Sequence, residues 1–219
     1  MSVSEVFNID NMIYMATIPD KFFDLVIADP PYGIGFGEFN RTNKASDGER
    51  YKANKYKNTN WDCDIPSDQY FEEIIRISVN QIVWGGNYFP CLWLNGCKGF
   101  IYWHKGNPVL NFSDGELAWT SFNKVAKQFD FRYYGNLEGS TSAKEKHHPT
   151  QKPVKLYKWL LSNYAKQGDK IFDPNMGSQS SRIAAYDMGF DFWGCELDKD
   201  YFEQGNKRFE NFKLQLKLL

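Results

Sequence analysis

The tetrapeptide D-P-P-Y at residues 29–32 directly follows an apolar run, residues 22–28, that has the pattern of a buried strand. Prolines have a fixed φ and no N–H group, so the turn is stiff and its carbonyl oxygens meet no competing local donor. The Asp29 carboxylate and a proline carbonyl then offer two acceptors close together, which suits an exocyclic NH₂ group with its two donors. The ring of Tyr32 can lie on the base that carries this amine. The alternative is an ordinary strand-ending turn with a capping Asp.

A second group lies between residues 172 and 196. Residues 173–178 form a predicted loop between a strand and a helix, and Glu196 ends the next strand, 19 residues after Gly177. In nucleotide-binding βαβ units a Gly lets the backbone approach the ligand, and an acidic residue about 20 residues further on binds the ribose hydroxyls. The loop lacks G-x-G-x-x-G, which favours an adenosine-containing ligand without a pyrophosphate and disfavours a nicotinamide dinucleotide. A plain βα loop with a surface Glu is the alternative.

The third group is H-P-T-Q-K-P at residues 148–153. Thr150 can cap a helix that takes Pro153 in its first turn. Lys152 can hold a ligand carboxylate as a point charge. The alternative is a capped helix start and nothing more.

The hydrophobic pattern alternates strands with helices around these groups. Strands are predicted at residues 22–28, 81–84, 99–103, 116–120, 170–172 and 190–195, and helices at 68–80, 150–161, 180–188 and 198–212. This alternation predicts an α/β fold with a mostly parallel sheet covered by helices on both faces. Ligands of such sheets bind beyond the carboxyl ends of the strands, where Asp29 stands.

Taken together and in this order, D-P-P-Y, H-P-T-Q-K-P, F-D-P-x-x-G-S and G-C-E-L-D resemble the amino-methylating DNA methyltransferases of the permuted type often called the beta class. Residues 82–87 and 100–105 resemble its intermediate blocks, so the resemblance covers most of the chain. It implies a Rossmann-like sheet with circularly permuted methyltransferase topology, in which the catalytic half precedes the cofactor half. It also implies S-adenosyl-L-methionine as the cofactor, double-stranded DNA as the partner, and methyl transfer to N6 of adenine by base flipping.

The same resemblance implies two sets of site residues. The catalytic set, at the target base, is Asp29, Pro30, Pro31 and Tyr32. The cofactor set is Lys152, Pro153, Asp173, Pro174, Asn175, Gly177, Ser178, Gln179, Glu196 and Leu197.

Three features depart from the family pattern. Asn175 stands where an aromatic or apolar residue is more usual, and Gln179 follows Gly177-Ser178 where Gly or Ser is usual. Either change can alter the affinity for the cofactor. Gln179 in particular adds a side chain at a position where the backbone of the family commonly approaches the cofactor closely. The target-recognition region, about residues 131–146, is short, which implies relaxed sequence preference or recognition shared with residues 33–62.

The charge distribution predicts where DNA binds. The chain has 26 Lys+Arg against 27 Asp+Glu, which argues against purely electrostatic nucleic-acid binding. If two clusters of basic residues border one cleft, they can bind the phosphates of a DNA strand. For either cluster alone, a solvent-exposed loop or helix face is the default interpretation. The predicted DNA-contacting residues are Arg41, Lys44, Arg50, Lys52, Lys55, Lys57, Lys144 and Lys146.

The organisation predicted is one methyltransferase domain, residues 1–219. Its catalytic half covers about 1–130 and its cofactor-binding half about 147–219, with a mobile insertion at about 33–62, a stretch without apolar periodicity. Whether the protein forms a homodimer is left open.

Composition excludes several classes of protein. With 42% hydrophobic and 24% charged residues the chain is typical of a globular protein. It has no apolar run of about 18 residues, so no membrane span is expected, and no signal peptide is visible. The four cysteines form no C-x-x-C pair, so neither a metal site nor a disulfide framework is expected. We expect a cytoplasmic protein of a bacterial cell or a phage-infected host.

Three alternatives stay open. Cytosine N4 is another exocyclic amine, but the family tends to use Ser rather than Asp at the first position for cytosine, so Asp29 favours adenine. An RNA or protein-glutamine methyltransferase is the second, and the long basic loop favours a polynucleotide. The third is an inactive nucleic-acid-binding homologue, which Asn175 and Gln179 keep open.

Overall fold

The computed structural model describes residues 2–34, 64–106, 113–132 and 151–216. In these ranges eight strands form one sheet: β1 (Ser4–Phe7), β2 (Phe23–Ala28), β3 (Ser78–Trp84), β4 (Phe100–His104), β5 (Gly115–Thr120), β6 (Lys127–Asp130), β7 (Lys170–Asp173) and β8 (Asp191–Cys195). The helices are α1 (Asn11–Met15), α2 (Asp68–Ile77), α3 (Val154–Tyr164), α4 (Ser180–Asp187) and α5 (Lys199–Leu216), with short 3₁₀ helices at Gly86–Tyr88 and Pro90–Trp93. Across these ranges, no helix has both the length and the apolar character needed to cross a membrane.

The strand order is β1-β8-β7-β2-β3-β5-β4-β6. All neighbours run parallel except β3 with β5 and β5 with β4, which are antiparallel. The predicted mostly parallel sheet is therefore confirmed, with β5 as the one reversed strand among those described.

The reversed strand decides which residues meet at one edge of the sheet. The carboxyl ends of β2, β7 and β8 lie at the same edge, and so does the amino end of β5, because β5 runs the other way. Strands β2 and β7 are neighbours although the chain leaves them in opposite directions, β2 towards β3 and β7 towards β8. Such a switch point opens a crevice beyond the strand ends, where ligands of α/β sheets bind.

The period-two alternation of β2 supplies both cores of the protein. Leu25 and Ile27 belong to the core that α3 and α4 complete, whereas Val26 and Ala28 belong to the core that α1 and α2 complete. Because β2 is buried on both faces, it reads as a continuous apolar run rather than an alternating one. Helices on both faces were the sequence prediction, and this arrangement confirms it.

The predicted strands and helices are all present within a few residues, but two strands and a short helix were missed. Strands β1 and β6 lie at the two ends of the sheet, and β6 (KQFD) is mostly exposed, so it has no apolar signal. Helix α1 has five residues, and its N-cap Asp10 accepts from the backbone N–H of Met12. Helix α3 begins at Val154 with Pro153 as its N-cap, while Thr150 lies outside the described residues.

Gly85 directly follows β3 and lies in the left-handed region, with φ +67°, and a Cβ there would lie 2.3 Å from the ring of Tyr32. We predict that Gly85→Ala lowers the free energy of unfolding by about 1–3 kcal/mol more than Gly96→Ala, because of the added collision. Gly96 is the matched control, since its φ is +72° and a Cβ there meets nothing within 4 Å. Urea denaturation measures both, and equal losses would contradict the prediction.

Candidate active site

A cavity of about 550 Å³ lies in the crevice at the switch point. The segments that follow β1, β2, β7 and β8 line it, together with the start of α2. Nine of the residues predicted from the sequence are among its lining: Asp29, Pro31, Lys152, Pro174, Asn175, Gly177, Ser178, Glu196 and Leu197. The predicted catalytic turn and the predicted cofactor loop therefore share one cavity.

The other predicted residues lie beside the cavity or outside the described ranges. Pro30, Tyr32, Pro153, Asp173 and Gln179 are not among its lining. The eight basic residues predicted to contact DNA all lie outside the described residues. The roles given to individual residues stay predictions.

Asp29 begins the turn after β2, and its side chain is 15% exposed. Its Oδ1 accepts a hydrogen bond from the Tyr32 hydroxyl at 2.6 Å and lies 2.5 Å from Nζ of Lys152. Burial raises the pKa of Asp29, and the charge of Lys152 opposes that rise. The Tyr32 ring in turn stacks on the Tyr88 ring with 5.2 Å between centroids.

Lys152 is buried, with 3% of its side chain exposed, and makes three polar contacts. Besides Asp29, its Nζ donates to the Tyr32 hydroxyl at 3.1 Å and lies 3.2 Å from Oε2 of Glu116. The buried ammonium group thus has one hydroxyl and two carboxylates around it. Lys152 was predicted to hold a ligand carboxylate, but here it pairs with two carboxylates of the protein itself.

Glu116, at the start of β5, and Lys105, just after β4, were missed by the sequence analysis. Lys105 forms an ion pair with Oε1 of Glu116, whereas Lys152 lies nearest to Oε2. Burial opposes ionisation of Glu116, but Lys152 and Lys105 outweigh it and lower its pKa to about 2. The one available signal was a carboxylate inside an otherwise apolar strand pattern, since such a charge needs a partner.

The Glu196 carboxylate fixes the loop after β7. Its Oε2 accepts from the backbone N–H of Gly177 at 2.8 Å, and its Oε1 accepts from that of Asp198 at 2.9 Å. Burial raises the pKa of Glu196, and these two N–H groups oppose the rise. An ionised carboxylate has about four acceptor sites, so Glu196 can also accept from a hydroxyl group in the cavity.

Asp173 and Asn175 hold the same loop from the other side. Asp173 accepts from the Ser181 hydroxyl at 2.5 Å and from the backbone N–H of Asn175 at 2.9 Å. Asn175 accepts from the Tyr70 hydroxyl, which ties the loop to α2. The unusual Asn175 thus has a partner on α2 instead of an aromatic contact.

The side chain of Gln179 turns away from the cavity towards α5. Gln179 has φ +58°, and its amide donates to Asn206 and accepts from Arg182. Gly205 makes room for it, because a Cβ there would lie 2.6 Å from the Gln179 side chain. At Gln179 the loop therefore packs closely against α5.

The cavity carries an excess of negative charge. Its lining includes five carboxylate residues, Asp10, Asp29, Asp64, Glu196 and Asp198, against Lys152 as the cation. The described residues contain no group of three His, Cys, Asp or Glu arranged to hold a metal ion. Such a lining suits an organic ligand that bears positive charge.

A family model described as DNA methylase matches residues 50–207, which is more than half of the chain. The chain belongs to the DNA methylase family. This confirms the resemblance drawn from the sequence, with DNA as the substrate and methyl transfer as the reaction. S-Adenosyl-L-methionine is the cofactor of this family, as predicted.

Two bacterial type II methyltransferases are similar to this DNA methylase along most of its length. M2.DpnII of Streptococcus pneumoniae is 24% identical over 242 residues, covering 92% of this chain and 87% of that protein. M.HinfI of Haemophilus influenzae is 28% identical over 243 residues, covering 91% of this chain and 66% of that protein.

Solved structures of methyltransferases share the fold. The M1.HpyAVI–SAM complex has a TM-score of 0.58 at 18% identity, covering 94% of this chain and 98% of that one. The cytosine-N4-specific PvuII DNA methyltransferase has a TM-score of 0.62 at 13% identity, covering 97% and 91%. These likenesses confirm the predicted fold class.

Burial raises the pKa of Asp173 to about 7, against the hydrogen bonds from Ser181 and Asn175. The folded protein therefore binds more protons at this carboxyl than the unfolded chain between about pH 4 and pH 7, so its contribution to stability falls as pH rises through that window. The quantity to follow is the difference in free energy of unfolding, wild type minus Asp173→Asn. We predict that this difference decreases over the window by at most about 1.4 kcal/mol per pH unit. Urea titrations at several pH values measure it, and a difference independent of pH would contradict the prediction.

Gln179→Ala removes the amide contacts with Asn206 and Arg182. We predict a loss of about 1–3 kcal/mol in the free energy of unfolding, because a buried guanidinium loses an acceptor, with unchanged affinity for S-adenosylmethionine. Calorimetric titration and urea denaturation measure the two effects. A large loss of cofactor affinity in a variant of unchanged stability would show that the side chain serves the cavity.

Proposed function

We propose that this DNA methyltransferase transfers the methyl group of S-adenosylmethionine to N6 of adenine in double-stranded DNA, with the base turned out of the duplex. The observation that supports this most is that Asp29, after β2, and Glu196, after β8, line the same cavity. An amine held by Asp29 therefore lies in the same crevice as a cofactor whose ribose is held by Glu196.

The cavity fits S-adenosylmethionine. Its volume of about 550 Å³ is in the range of small-molecule sites. The acceptor sites of Glu196 suit ribose hydroxyls, and the acidic lining suits the sulfonium. When bound, this cofactor supplies a methyl group on a positively charged sulfur.

Asp29 and the carbonyl of Pro30 accept hydrogen bonds from the amine and orient it for methyl transfer. The lone pair of the adenine N6 is delocalised into the ring, so the free amine is a poor nucleophile. Two acceptors that take both N6 hydrogens favour a tetrahedral nitrogen whose lone pair faces the methyl, which stabilises the transition state. As the N–C bond forms and the C–S bond breaks, the nitrogen gains positive charge and then loses a proton. The Asp29 carboxylate, whose pKa is raised by burial, is the adjacent acceptor.

Aromatic rings offset part of the cost of base flipping. Turning a base out of the duplex costs a few kcal/mol, and stacking of a base on an aromatic ring is worth about 1–3 kcal/mol. Tyr32, beside Asp29, already stacks on Tyr88, which is 40% exposed. This pair gives the extruded base an ordered aromatic surface.

The experiment replaces Asp29 and identifies the methylated base. The protein is incubated with S-adenosylmethionine and methylation-free plasmid, and sequencing then reports modified adenines and cytosines. We expect N6-methyladenine with the wild type and a loss of roughly 10²–10³-fold in rate with Asp29→Asn, because one acceptor of the amine becomes neutral. Asp130→Asn, which removes an exposed carboxylate on β6, is the control and keeps the wild-type rate.

The outcomes separate the alternatives. If cytosine is methylated instead of adenine, the proposed target base is wrong and the proposed site is retained. Undiminished transfer by folded Asp29→Asn would contradict the role of Asp29. No binding of S-adenosylmethionine at millimolar concentration would favour the inactive nucleic-acid-binding homologue.

The remaining sequence predictions belong to this proposal. They are the catalytic half at about 1–130, the cofactor half at about 147–219, and DNA contacts from the two basic clusters. A cytoplasmic location and a place in a restriction-modification system fit the bacterial type II relatives.

A further inference from the structure

The two oxygens of Asp29 have different surroundings. The Tyr32 hydroxyl and the Lys152 ammonium both reach Oδ1, and within residues 2–34, 64–106, 113–132 and 151–216 no donor reaches Oδ2. Asp29 lines the cavity. A substrate amine can therefore use Oδ2 without displacing either donor.

Glu116 is the second carboxylate beside Lys152. The ammonium lies 2.5 Å from Oδ1 of Asp29 and 3.2 Å from Oε2 of Glu116. Lys105 pairs with the second oxygen of Glu116. Two carboxylates and two ammonium groups thus form a row of four alternating charges with no net charge.

We propose that Glu116 is a positioning residue for methyl transfer, which keeps Lys152 on Oδ1 of Asp29, leaves Oδ2 for the target amine, and balances the charge beside the reacting nitrogen. This inference rests on the proposed function, because it takes Asp29 as the acceptor of the amine. Glu116 is partly buried at the start of β5 and is not among the residues that line the cavity, so it acts on the reaction through Lys152.

The charge balance matters because the reaction moves positive charge. The charge on the cofactor sulfur passes to the amine nitrogen as the methyl group transfers. With Glu116 ionised, the row next to that nitrogen is neutral. With Gln at this position, the row carries an extra positive charge, and Lys152 has Asp29 as its only carboxylate partner, which makes Asp29 a weaker acceptor.

The ionisation of Asp29 reports this coupling. The titratable groups that face Asp29 from the elements around it are Tyr32, Tyr70, Glu116, Lys152, Tyr157 and Asp173. Lys105 stands one step further away, paired with Glu116. The negative charge of Glu116 raises the pKa of Asp29. Removing that charge lowers the pKa, so the acid limb of the rate profile moves to lower pH.

The experiment measures single-turnover methyl transfer against pH. We expect Glu116→Gln to transfer roughly 10–100-fold more slowly, with unchanged affinity for S-adenosylmethionine, and its acid limb to lie lower by roughly one pH unit. Lys105→Met leaves an excess negative charge and moves the acid limb to higher pH. Glu116→Asp keeps the charge and the wild-type acid limb. Glu210→Gln, which removes a carboxylate paired with Lys213 on α5, is the control and changes nothing.

A second readout does not depend on activity. NMR follows the carboxyl resonance of Asp29, assigned with Asp29→Asn, through a pH titration of the ligand-free protein. Opposite shifts of its midpoint in Glu116→Gln and Lys105→Met support the inference, and unchanged or same-direction midpoints in both folded variants overturn it. A wild type that methylates no adenine would refute the proposed function instead, and the titration would still test the coupling.

Discussion

A buried ammonium group at Lys152 is the constraint on which the site depends. A cation with 3% of its side chain exposed is stable only where ionic and hydrogen-bonding partners replace water. Its partners come from two distant segments, the turn after β2 and the start of β5, while Lys152 itself lies just before α3. The contacts of this one group therefore fix how the turn that holds Asp29 sits against the rest of the sheet.

The sheet makes that meeting geometrically simple. Because β5 runs antiparallel to β3, its first residues reach the edge where β2 ends, and Glu116 and Asp29 both lie beside Lys152. At the same edge, Glu196 holds the loop after β7 through the N–H of Gly177. One edge thus carries a row of ion pairs without net charge on one side and an acidic cavity on the other. This division suits a reaction in which a cationic donor approaches a neutral amine.

Much of this could be predicted from the sequence, where the signal is local. The strand before Asp29, the spacing of Gly177 and Glu196, and the alternation of strands and helices follow from short-range patterns. The partners of Lys152 could not be predicted, because they depend on the reversed strand β5, and apolar periodicity does not give strand direction. Gln179 was expected at the cofactor, but its contact with α5 depends on room left by Gly205. Edge strands β1 and β6 were missed because they are short and lack an apolar pattern.

The most direct measurement is a crystal structure of the protein with S-adenosylhomocysteine and a DNA duplex that contains its target adenine. The account predicts that Lys152 stays on Oδ1 of Asp29 and on Glu116, and that the N6 amine of the extruded adenine lies within hydrogen-bonding distance of Oδ2. A complex in which Lys152 has left Asp29 to bind the cofactor carboxylate, with the amine remote from Oδ2, would contradict it.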